Sequence, residues 1–483
     1  MASSDKRVDP EELEVALRVL ADVDRLALNH PDAIALQRAT SRLYKAVKIR
    51  RRVEKRQAIL EHDAAVTAAT ATAAPDRIDD ETQGLPLAYN ATGAGAGTLR
   101  QPRACYICKE RYVEVDGFYH QLCPACAAFN HARREARTDL SGRRALLTGG
   151  RAKIGMYIAL RLLRDGAHTT ITTRFPGDAV RRFQAMADSG EWIDRLRIIG
   201  TDLRDPSQVL ALADAVAERG PLDILINNAA QTVRRSPQAY ALLAAAEAEE
   251  LPSGATPELL TLGSYGGGSP AQLTANGNGH ALGHWSPTPH ALTALALLAG
   301  SASAERIATE TAIDAGGLVP DQARANSWSQ VVEEVDPTEL LEVQLCNVTA
   351  PFLLISRLRG SLAASPARRS YVVNVSAMEG QFSRGYKGPG HPHTNMAKAA
   401  LNMLTRTSAE EMAGDGILMS SVDTGWITDE RPHPTKMRLA EEGFHAPLDL
   451  VDGAARVYDP IVRGEAGEDL YGCFLKDYAP SAW

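Results

Sequence analysis

Residues 144–166 read RALLTGGRAKIGMYIALRLLRDG, in which an apolar strand, a glycine-rich turn and an amphipathic helix follow one another. In this order, the backbone N–H groups at the start of the helix can hold a pyrophosphate. A glycine-rich turn alone is a weak signal, but the strand and helix around it favour a dinucleotide site. Because apolar strands alternate with amphipathic helices from about Leu140 onwards, we predict an α/β fold with a doubly wound parallel sheet.

The rest of the chain divides into segments of different composition. Residues 1–75 show helical periodicity, and Pro31 is predicted to separate two helices there. Residues 76–101 are rich in Ala, Thr, Gly and Pro, which is typical of a flexible linker. The doubly wound region, 139–483, is interrupted by the turn-rich residues 236–330. A structureless loop of that length is improbable, so we expect an inserted subdomain or a partly disordered lid.

Composition and charge restrict the class of protein. The chain has 483 residues, is 45% hydrophobic and carries a net charge of −7, which favours a globular protein and gives no overall reason to expect a nucleic-acid partner. The basic run at 45–56 is either a solvated helix face or a contact for an anionic partner. We expect neither a signal peptide nor a membrane span, and therefore a cytoplasmic location.

Two Cys-x-x-Cys pairs in residues 102–135 predict a metal site. Cys105 and Cys108 form the first pair, Cys123 and Cys126 the second, with fourteen residues between them. Two tight turns at this spacing can close four thiolates on one tetrahedral Zn²⁺. Four protein ligands leave no open coordination position, so the zinc is expected to be structural. The small module that it folds could dock a protein partner.

The doubly wound region resembles the short-chain dehydrogenase/reductase family, whose members have a Rossmann fold. Its glycine motif, Thr-Gly-x-x-x-Gly-x-Gly, is matched by Thr148, Gly149 and Gly155, while Lys153 takes the place of the middle glycine. The family's Asn-Asn-Ala-Gly motif resembles residues 227–230. The resemblance implies cofactor contacts from a set of residues: Thr148, Gly149, Arg151, Lys153, Ile154, Gly155, Arg174, Asp202, Leu203, Asn228, Ala229, Lys398 and Thr428.

The cofactor is expected to be NADP(H). The strand that ends at Arg174 lacks the acidic residue that would bind a ribose 2′-hydroxyl, and Arg151 lies in the glycine turn. Cations at these positions favour a 2′-phosphate. Asp202 and Leu203 resemble the pair that contacts adenine in the family, and Thr428 falls in a segment that resembles its nicotinamide contact.

The catalytic residues resemble those of the family except at one position. Ser376 matches the serine that orients the substrate oxygen, and Asn347 matches the asparagine that supports a proton relay. Lys398 matches the lysine of the Tyr-x-x-x-Lys pair, but Thr394 stands where the tyrosine should be. An aliphatic hydroxyl is far too weak an acid to replace a phenol near pKa 10.

The extended loop before Thr394 offers substitutes for the phenol. Tyr386 could fold back towards Lys398, and His391 and His393 are further candidates because histidine as a residue type can act as an acid at neutral pH. We expect an NADP(H)-dependent oxidoreductase that acts on a small carbonyl or alcohol substrate and has a non-standard proton donor. The alternative is a catalytically inactive NADP(H)-binding regulator or scaffold. Members of the family commonly form homo-oligomers, and the resemblance implies the same here.

Overall fold

The computed structural model describes residues 8–74, 77, 95–251, 253–254, 256–262, 285, 287–298, 300–427 and 430–483. Thr428, expected to contact the cofactor, lies outside the described residues, as do most of the residues expected to form the linker. The chain divides into two compact units, Met1–Ala65 and Val66–Trp483.

The first unit is helical. Helix α1 is Pro10–Asp22, and Asp9 caps it because its side chain accepts hydrogen bonds from the N–H groups of Glu11 and Glu12. Helix α2, Pro31–Ala68, begins at the proline that was predicted to separate two helices and continues into the second unit. The basic run lies on α2.

The four cysteines belong to a small module, here called the cysteine module and defined as residues 97–134. Strand β1 (Gly97–Ala104) pairs antiparallel with β2 (Arg111–Val115), and helix α3 is Pro124–Arg134. Residues 97–101 were expected to belong to the linker, but they form the first part of β1. They pair with β2 at Gly97 and Thr98, and Leu99 is buried.

The second unit is built on a sheet that confirms the doubly wound prediction. Its strands are β3 (Arg144–Leu147), β4 (His168–Thr173), β5 (Leu196–Gly200), β6 (Ile224–Asn227), β7 (Glu258–Thr261), β8 (Ser370–Ser376), β9 (Ile417–Asp423), β10 (Phe474–Lys476) and β11 (Ala479–Ser481). In the described residues their order is β11-β10-β9-β8-β6-β3-β4-β5-β7, and all pairs are parallel except β10 with β11. The order reverses between β3 and β6, which makes their carboxyl ends the expected ligand crevice.

Helices cover both faces of the sheet. They are α4 (Lys153–Arg164), α5 (Pro176–Gln184), α6 (Pro206–Ala217), α7 (Ala241–Glu247), α8 (Pro289–Ala296), α9 (Ala304–Ala308), α10 (Pro337–Gln344), α11 (Ala350–Ala363), α12 (Pro392–Ala413), α13 (His433–Glu441) and α14 (Leu450–Glu465). Two apolar cores result, one on each side of the sheet.

The helical stretch Pro337–Ala363 is long and apolar enough to cross a membrane by length and composition, although no such segment was expected. It comprises α10, a π-helical turn at Leu345–Thr349, and α11. Leu354, Leu358 and Leu362 are buried in the core between α6 and the sheet. One face of the stretch therefore packs into the core, whereas Leu341 and Phe352 are exposed.

Part of the insertion belongs to the main fold and is neither a separate subdomain nor a lid. Its strand β7 extends the main sheet, and Leu259 pairs in register with Ile198 of β5. Helices α7 and α8 pack against α5. The apolar residues of β7 suit a position in a sheet, but periodicity over four residues is too short to reveal such a strand.

Candidate active and cofactor site

The glycine-rich turn after β3 lies at a cleft of about 390 Å³. A Cβ on Gly155 would overlap the carbonyl oxygen of Gly149, and one on Gly149 would lie 2.9 Å from the Cα of Ala229, so both positions require glycine. The Oγ1 of the buried Thr148 accepts hydrogen bonds from the N–H groups of Asn228 and Ala229, both at 3.0 Å. Asn228 Nδ2 donates to the carbonyls of Thr148 and Gly149. The turn is thus fixed where doubly wound sheets bind dinucleotides.

Lys153 keeps the backbone geometry of the glycine that it replaces. It is the first residue of α4, and its φ is +52°, in the left-handed region. An L-residue there costs about 1–2 kcal/mol. Lys153 is one of the residues that line the cleft. The turn therefore has a lysine at the position of the middle glycine of the motif.

The cleft brings together most of the residues expected to contact the cofactor. Ten of them line it: Gly149, Arg151, Lys153, Ile154, Gly155, Arg174, Asp202, Leu203, Asn228 and Ala229. Thr148 does not line the cleft but holds Asn228 and Ala229, which do, through its hydrogen bonds. Lys398 also lies outside the lining.

Arg174 lies beside two aromatic rings that stack on each other, with their centroids 5.9 Å apart. Its guanidinium lies 5.7 Å from the ring centroid of Phe175 and 5.2 Å from that of Tyr240, and its Nη2 donates to the Tyr240 hydroxyl at 3.3 Å. Tyr240 belongs to the insertion. One residue of the insertion therefore positions the arginine that was expected to bind a 2′-phosphate.

Arg151 is anchored by a buried carboxylate. Its Nη1 lies 2.5 Å from Asp178 Oδ2, and the same oxygen lies 2.6 Å from Arg182 Nε. Burial alone would raise the pKa of Asp178, but Arg182 and Arg151 outweigh it and lower the pKa to about 2. The Asp178 carboxylate therefore holds two guanidinium groups, those of Arg151 and Arg182.

Asp202 is also held by an arginine. Arg204 Nη2 lies 2.6 Å from Asp202 Oδ2, and Arg204 Nη1 lies 3.0 Å from Glu342 Oε1. The backbone N–H of Asp202 donates to Gln208 Oε1 at 2.9 Å. The orientation of Asp202 in the cleft is therefore set by these partners.

Ser376, Thr394 and Lys398 are buried. Ser376 ends β8, and Thr394 and Lys398 are one turn apart on α12. Lys398 Nζ donates to the carbonyl of Val375 at 2.8 Å, and burial lowers the pKa of Lys398 to about 8. The hydroxyls of Ser376 and Thr394 have no hydrogen-bond partner among the described residues. Buried polar groups are nearly always paired in proteins, so these hydroxyls could serve a ligand or water.

Asp423 was missed by the sequence reasoning. It ends β9 and pairs in register with Ser376 on the neighbouring strand. One of its carboxylate oxygens, Oδ1, accepts a hydrogen bond from the N–H of Gly425 at 2.9 Å. Burial raises the pKa of Asp423 to about 6, and the nearby carboxylates of Asp477 and Glu379 act in the same direction. A carboxyl group that titrates near neutral pH therefore adjoins the serine.

Tyr386 does not fold back towards Lys398, contrary to the sequence-based expectation. Its side chain is 75% exposed. The next residue, Lys387, donates from Nζ to the carbonyl of Met378 at 2.9 Å and so ties the loop down with Tyr386 at the surface.

The two histidines differ in their surroundings. The His391 ring stacks on Trp328 of the insertion, with centroids 4.0 Å apart, and its Nδ1 lies 2.9 Å from the Trp328 carbonyl. His393 is buried, neither ring nitrogen has a partner among the described residues, and burial lowers its pKa. His391 therefore has a packing role, whereas the ring nitrogens of His393 could still serve a ligand or water.

Asn347 lies in the π-helical turn between α10 and α11. Its Oδ1 accepts a hydrogen bond from the N–H of Gln231 at 2.7 Å, and its Nδ2 donates to the carbonyl of Gln231 at 2.9 Å. Both atoms of the amide therefore hold the segment that follows β6. Single π-helical turns often occur at functional sites.

Further cleft residues escaped the sequence reasoning. Next to the cleft lining, between Gly149 and Arg151, Gly150 occupies a variable motif position, yet a Cβ there would lie 2.5 Å from Ile171 Cγ2. Arg235, directly before the insertion, lies 3.9 Å from Glu430, and both residues line the cleft. Neither Arg235 nor Tyr240 lies in a motif that could have indicated it. Asp423, by contrast, directly precedes the Thr-Gly pair that resembles the family's nicotinamide segment.

The four cysteines meet at one point. The Sγ atoms of Cys105, Cys108, Cys123 and Cys126 all lie within 4.8 Å of one another. Four thiolates around Zn²⁺ with Zn–S bonds of about 2.3 Å would be about 3.8 Å apart, and Cys108 and Cys123 are 3.7 Å apart. The donor set and its spacing fit a tetrahedral zinc ion.

Comparison with protein families and curated proteins identifies relatives. A family model described as short chain dehydrogenase matches residues 143–250. The uncharacterized protein R665 of Acanthamoeba polyphaga mimivirus is 31% identical over 373 residues, which cover 74% of this chain and 71% of that protein. A probable oxidoreductase of Streptomyces antibioticus is 42% identical over 91 residues. That match spans 19% of this chain and only 30% of the relative's length.

Comparison with solved structures returns short-chain dehydrogenases and reductases. The NADPH-bound carbonyl reductase from chicken fatty liver is 17% identical, with a TM-score of 0.43, and the match covers 71% of this chain and all of that one. A short-chain dehydrogenase from Burkholderia cenocepacia J2315 in complex with NADP is 20% identical. Its TM-score is 0.42, and the match covers 70% of this chain and 97% of that one.

Proposed function

We propose that the chain is an NADP(H)-dependent oxidoreductase of the short-chain dehydrogenase family, whose model matches residues 143–250, and that it acts on a carbonyl or alcohol. One observation carries the proposal. The backbone turn at Gly149 and Gly155 has no room for side chains, and it lies at the same edge of the sheet as the buried Ser376 and Lys398. A backbone-lined cradle at the start of a helix suits a pyrophosphate.

The cations of the cleft suit the phosphorylated cofactor. Lys153 and the N–H groups of the turn would hold the pyrophosphate, and Arg174, braced by Tyr240, would contact the 2′-phosphate. Lys398 would bind the hydroxyls of the nicotinamide ribose. When bound, NADP(H) supplies or accepts the hydride.

The proton would move through groups of the chain itself. Ser376 would donate a hydrogen bond to the substrate oxygen. The carboxyl group of Asp423, its neighbour in the sheet, would give the proton to that oxygen during reduction and take it back during oxidation. Asn347 would act as a positioning residue through Gln231.

We further propose that the cysteine module binds one structural Zn²⁺ through Cys105, Cys108, Cys123 and Cys126. No ligand position would be left open for substrate, so the ion would stabilise the module rather than take part in the reaction.

The test combines cofactor binding with turnover. We expect purified protein to bind NADPH more tightly than NADH and to oxidise NADPH with at least one member of an aldehyde and ketone panel. Ser376→Ala and Asp423→Asn should each lower kcat at least about 100-fold and leave the Kd of NADPH within about threefold. Exposed Asp214→Asn serves as the control for Asp423. Absence of NADPH binding would overturn the proposal.

The alternative is a protein that binds NADP(H) without turnover. Thr394 at the tyrosine position and the surface position of Tyr386 favour it, because no phenol is then available at Lys398. Tight NADPH binding without oxidation across the whole panel would support this alternative over the enzyme.

A further inference from the structure

The cysteine module touches the segment that was expected to contact nicotinamide. Tyr106 lies between the two cysteines of the first pair, and its hydroxyl accepts a hydrogen bond from the backbone N–H of Trp426 at 3.0 Å. Trp426 follows β9 and lies between Asp423 and the remainder of that segment. A residue in a metal-binding turn thus bonds directly to the backbone at one wall of the proposed site.

An apolar core joins the module to two walls of the site. Tyr119 and Leu122 of the module share this core with Ile427, which follows Trp426, and with Leu450 at the start of α14. Ile154, in the first turn of the glycine-motif helix α4, packs against the same core. The module therefore supports both the pyrophosphate side and the nicotinamide side of the cleft.

Buried polar contacts fix the module against α14. The Tyr119 hydroxyl donates to Asp452 Oδ1 at 2.6 Å. Arg134 makes a two-pronged ion pair with Asp449, at 2.6 and 2.8 Å. Asp449 and Asp452 form the capping box of α14, so the module is bonded to the end of a helix that packs on α4. Bidentate pairs of this kind restrict orientation as well as distance.

We propose that the cysteine module is a metal-dependent clamp for the nicotinamide segment, and that Tyr106 is the positioning residue through which metal occupancy sets NADP(H) affinity. The effect on NADP(H) affinity rests on the proposed function. The hydrogen bond between Tyr106 and Trp426 is present in the structure without the cofactor, so the clamp can be tested separately from cofactor binding.

The coupling has a simple physical basis. Cys105 and Cys108 flank Tyr106 by one and two residues, so an ion that closes the four thiols also fixes the turn that carries the phenol. Without the ion, the turn regains conformational freedom, because a metal site usually contributes to folding. The hydrogen bond to Trp426 would then be lost for a growing fraction of the time, and the segment that ends β9 would become mobile.

The first experiment is Tyr106→Phe in the full-length, zinc-loaded protein. The variant keeps the four cysteines and the ring, and removes only the acceptor of the Trp426 N–H. We expect unchanged zinc content, amide hydrogen exchange at residues 424–427 that is about tenfold faster without cofactor, and a Kd for NADPH that is about tenfold higher.

Tyr112→Phe is the matched control. Tyr112 belongs to the same module, and its hydroxyl donates to the carbonyl of His120 within the module rather than to the cofactor segment. We expect exchange at 424–427 and the Kd of NADPH to stay at the wild-type values. Equal behaviour of Tyr106→Phe and Tyr112→Phe would overturn the clamp.

Metal removal provides the second experiment. After treatment with a chelator, exchange at residues 424–427 should rise, while the amides of β3 and β6 stay protected. Unchanged exchange at 424–427 in metal-free protein would refute the proposal. If no form of the protein binds NADPH, the proposed function fails, yet the exchange measurements still decide the clamp.

Discussion

Ser376 and Asp423 occupy the same register position at the carboxyl ends of two neighbouring parallel strands. A hydroxyl and a carboxyl group therefore share one buried corner, and the ammonium group of Lys398 is close enough for charge interaction with Asp423. This juxtaposition places a carboxyl group beside the residues that match the serine and the lysine of the family motif.

Asp423→Asn should change how stability depends on pH. Burial raises the folded-state pKa of Asp423 to about 6, above the ordinary value near 4. The contribution of Asp423 to the free energy of unfolding is therefore fully present below pH 4 and is lost as the pH rises through 6. The asparagine does not titrate. We expect the variant to gain about 3 kcal/mol in unfolding free energy relative to wild type between pH 4 and 7.5, measured by urea denaturation.

The groups facing Asp423 are Glu379, Asp477, Lys476 and Lys398. Asp214→Asn, on an exposed face of α6, should show no such pH-dependent gain. Parallel pH profiles for wild type and Asp423→Asn would contradict the raised pKa.

Arg174→Ala should reduce the preference for the phosphorylated cofactor. Hydrogen bonds to charged groups contribute about 1.5–3 kcal/mol, so the Kd of NADPH should rise about 10- to 100-fold while that of NADH stays nearly constant. Titrations monitored by cofactor fluorescence measure both constants. Tyr240→Phe removes only the hydroxyl that accepts from Arg174 and should give a smaller change of the same sign. An equal loss for both cofactors would argue against a 2′-phosphate contact.

Gly155→Ala should abolish cofactor binding. The added Cβ would overlap the carbonyl oxygen of Gly149, and backbone cannot move as a side chain can. Calorimetric titration with NADPH should show no binding. Gly360→Ala in α11 is the control, because a Cβ there meets nothing within 4 Å. That variant should bind normally and gain about 0.5–1 kcal/mol in stability.

Thr394→Val should stabilise the protein. The Thr394 hydroxyl is buried without a partner among the described residues, and an unsatisfied group costs about 1–3 kcal/mol. Removal of that hydroxyl should raise the unfolding free energy by about 1 kcal/mol in denaturant titrations. Thr405→Val should do the opposite, because its hydroxyl bonds to Leu401, Asn374 and Ser421. Destabilisation by Thr394→Val would indicate that an ordered water pairs this hydroxyl.

Zinc analysis should find about one ion per chain. Cys126→Ser should lose the ion and lower the melting temperature, because the thiolates close a single site. Cys473→Ser, outside the cluster, should retain it. Full zinc content in Cys126→Ser would show that the ion is bound elsewhere.

The fold was predictable because its signal is local and repeated. The strand, turn and helix around Gly149 predict one crossover connection, and the alternation of strand and helix repeats along the chain. The cleft followed for the same reason: Gly155, Arg174 and Asn228 lie at motif positions near the ends of strands.

Other parts of the site depend on distant contacts that local patterns do not contain. Tyr386 lies at the surface because Lys387 anchors the loop to the carbonyl of Met378. Tyr240 reaches Arg174 because of the way the insertion packs. The pairing of Asp423 with Ser376 depends on strand register, which one sequence does not display. Such relationships arise between segments far apart in the chain.

Strand β7 also ties the insertion to the central sheet. Residues 258–261 occupy the N–H and C=O groups along one side of β5, and open sheet borders attract strands from other molecules. Deletion of the insertion would expose the N–H and C=O groups on that side of β5. The insertion that supplies Tyr240 to the cleft thus also supplies the outermost strand on this side of the described sheet, and a simple deletion would remove both.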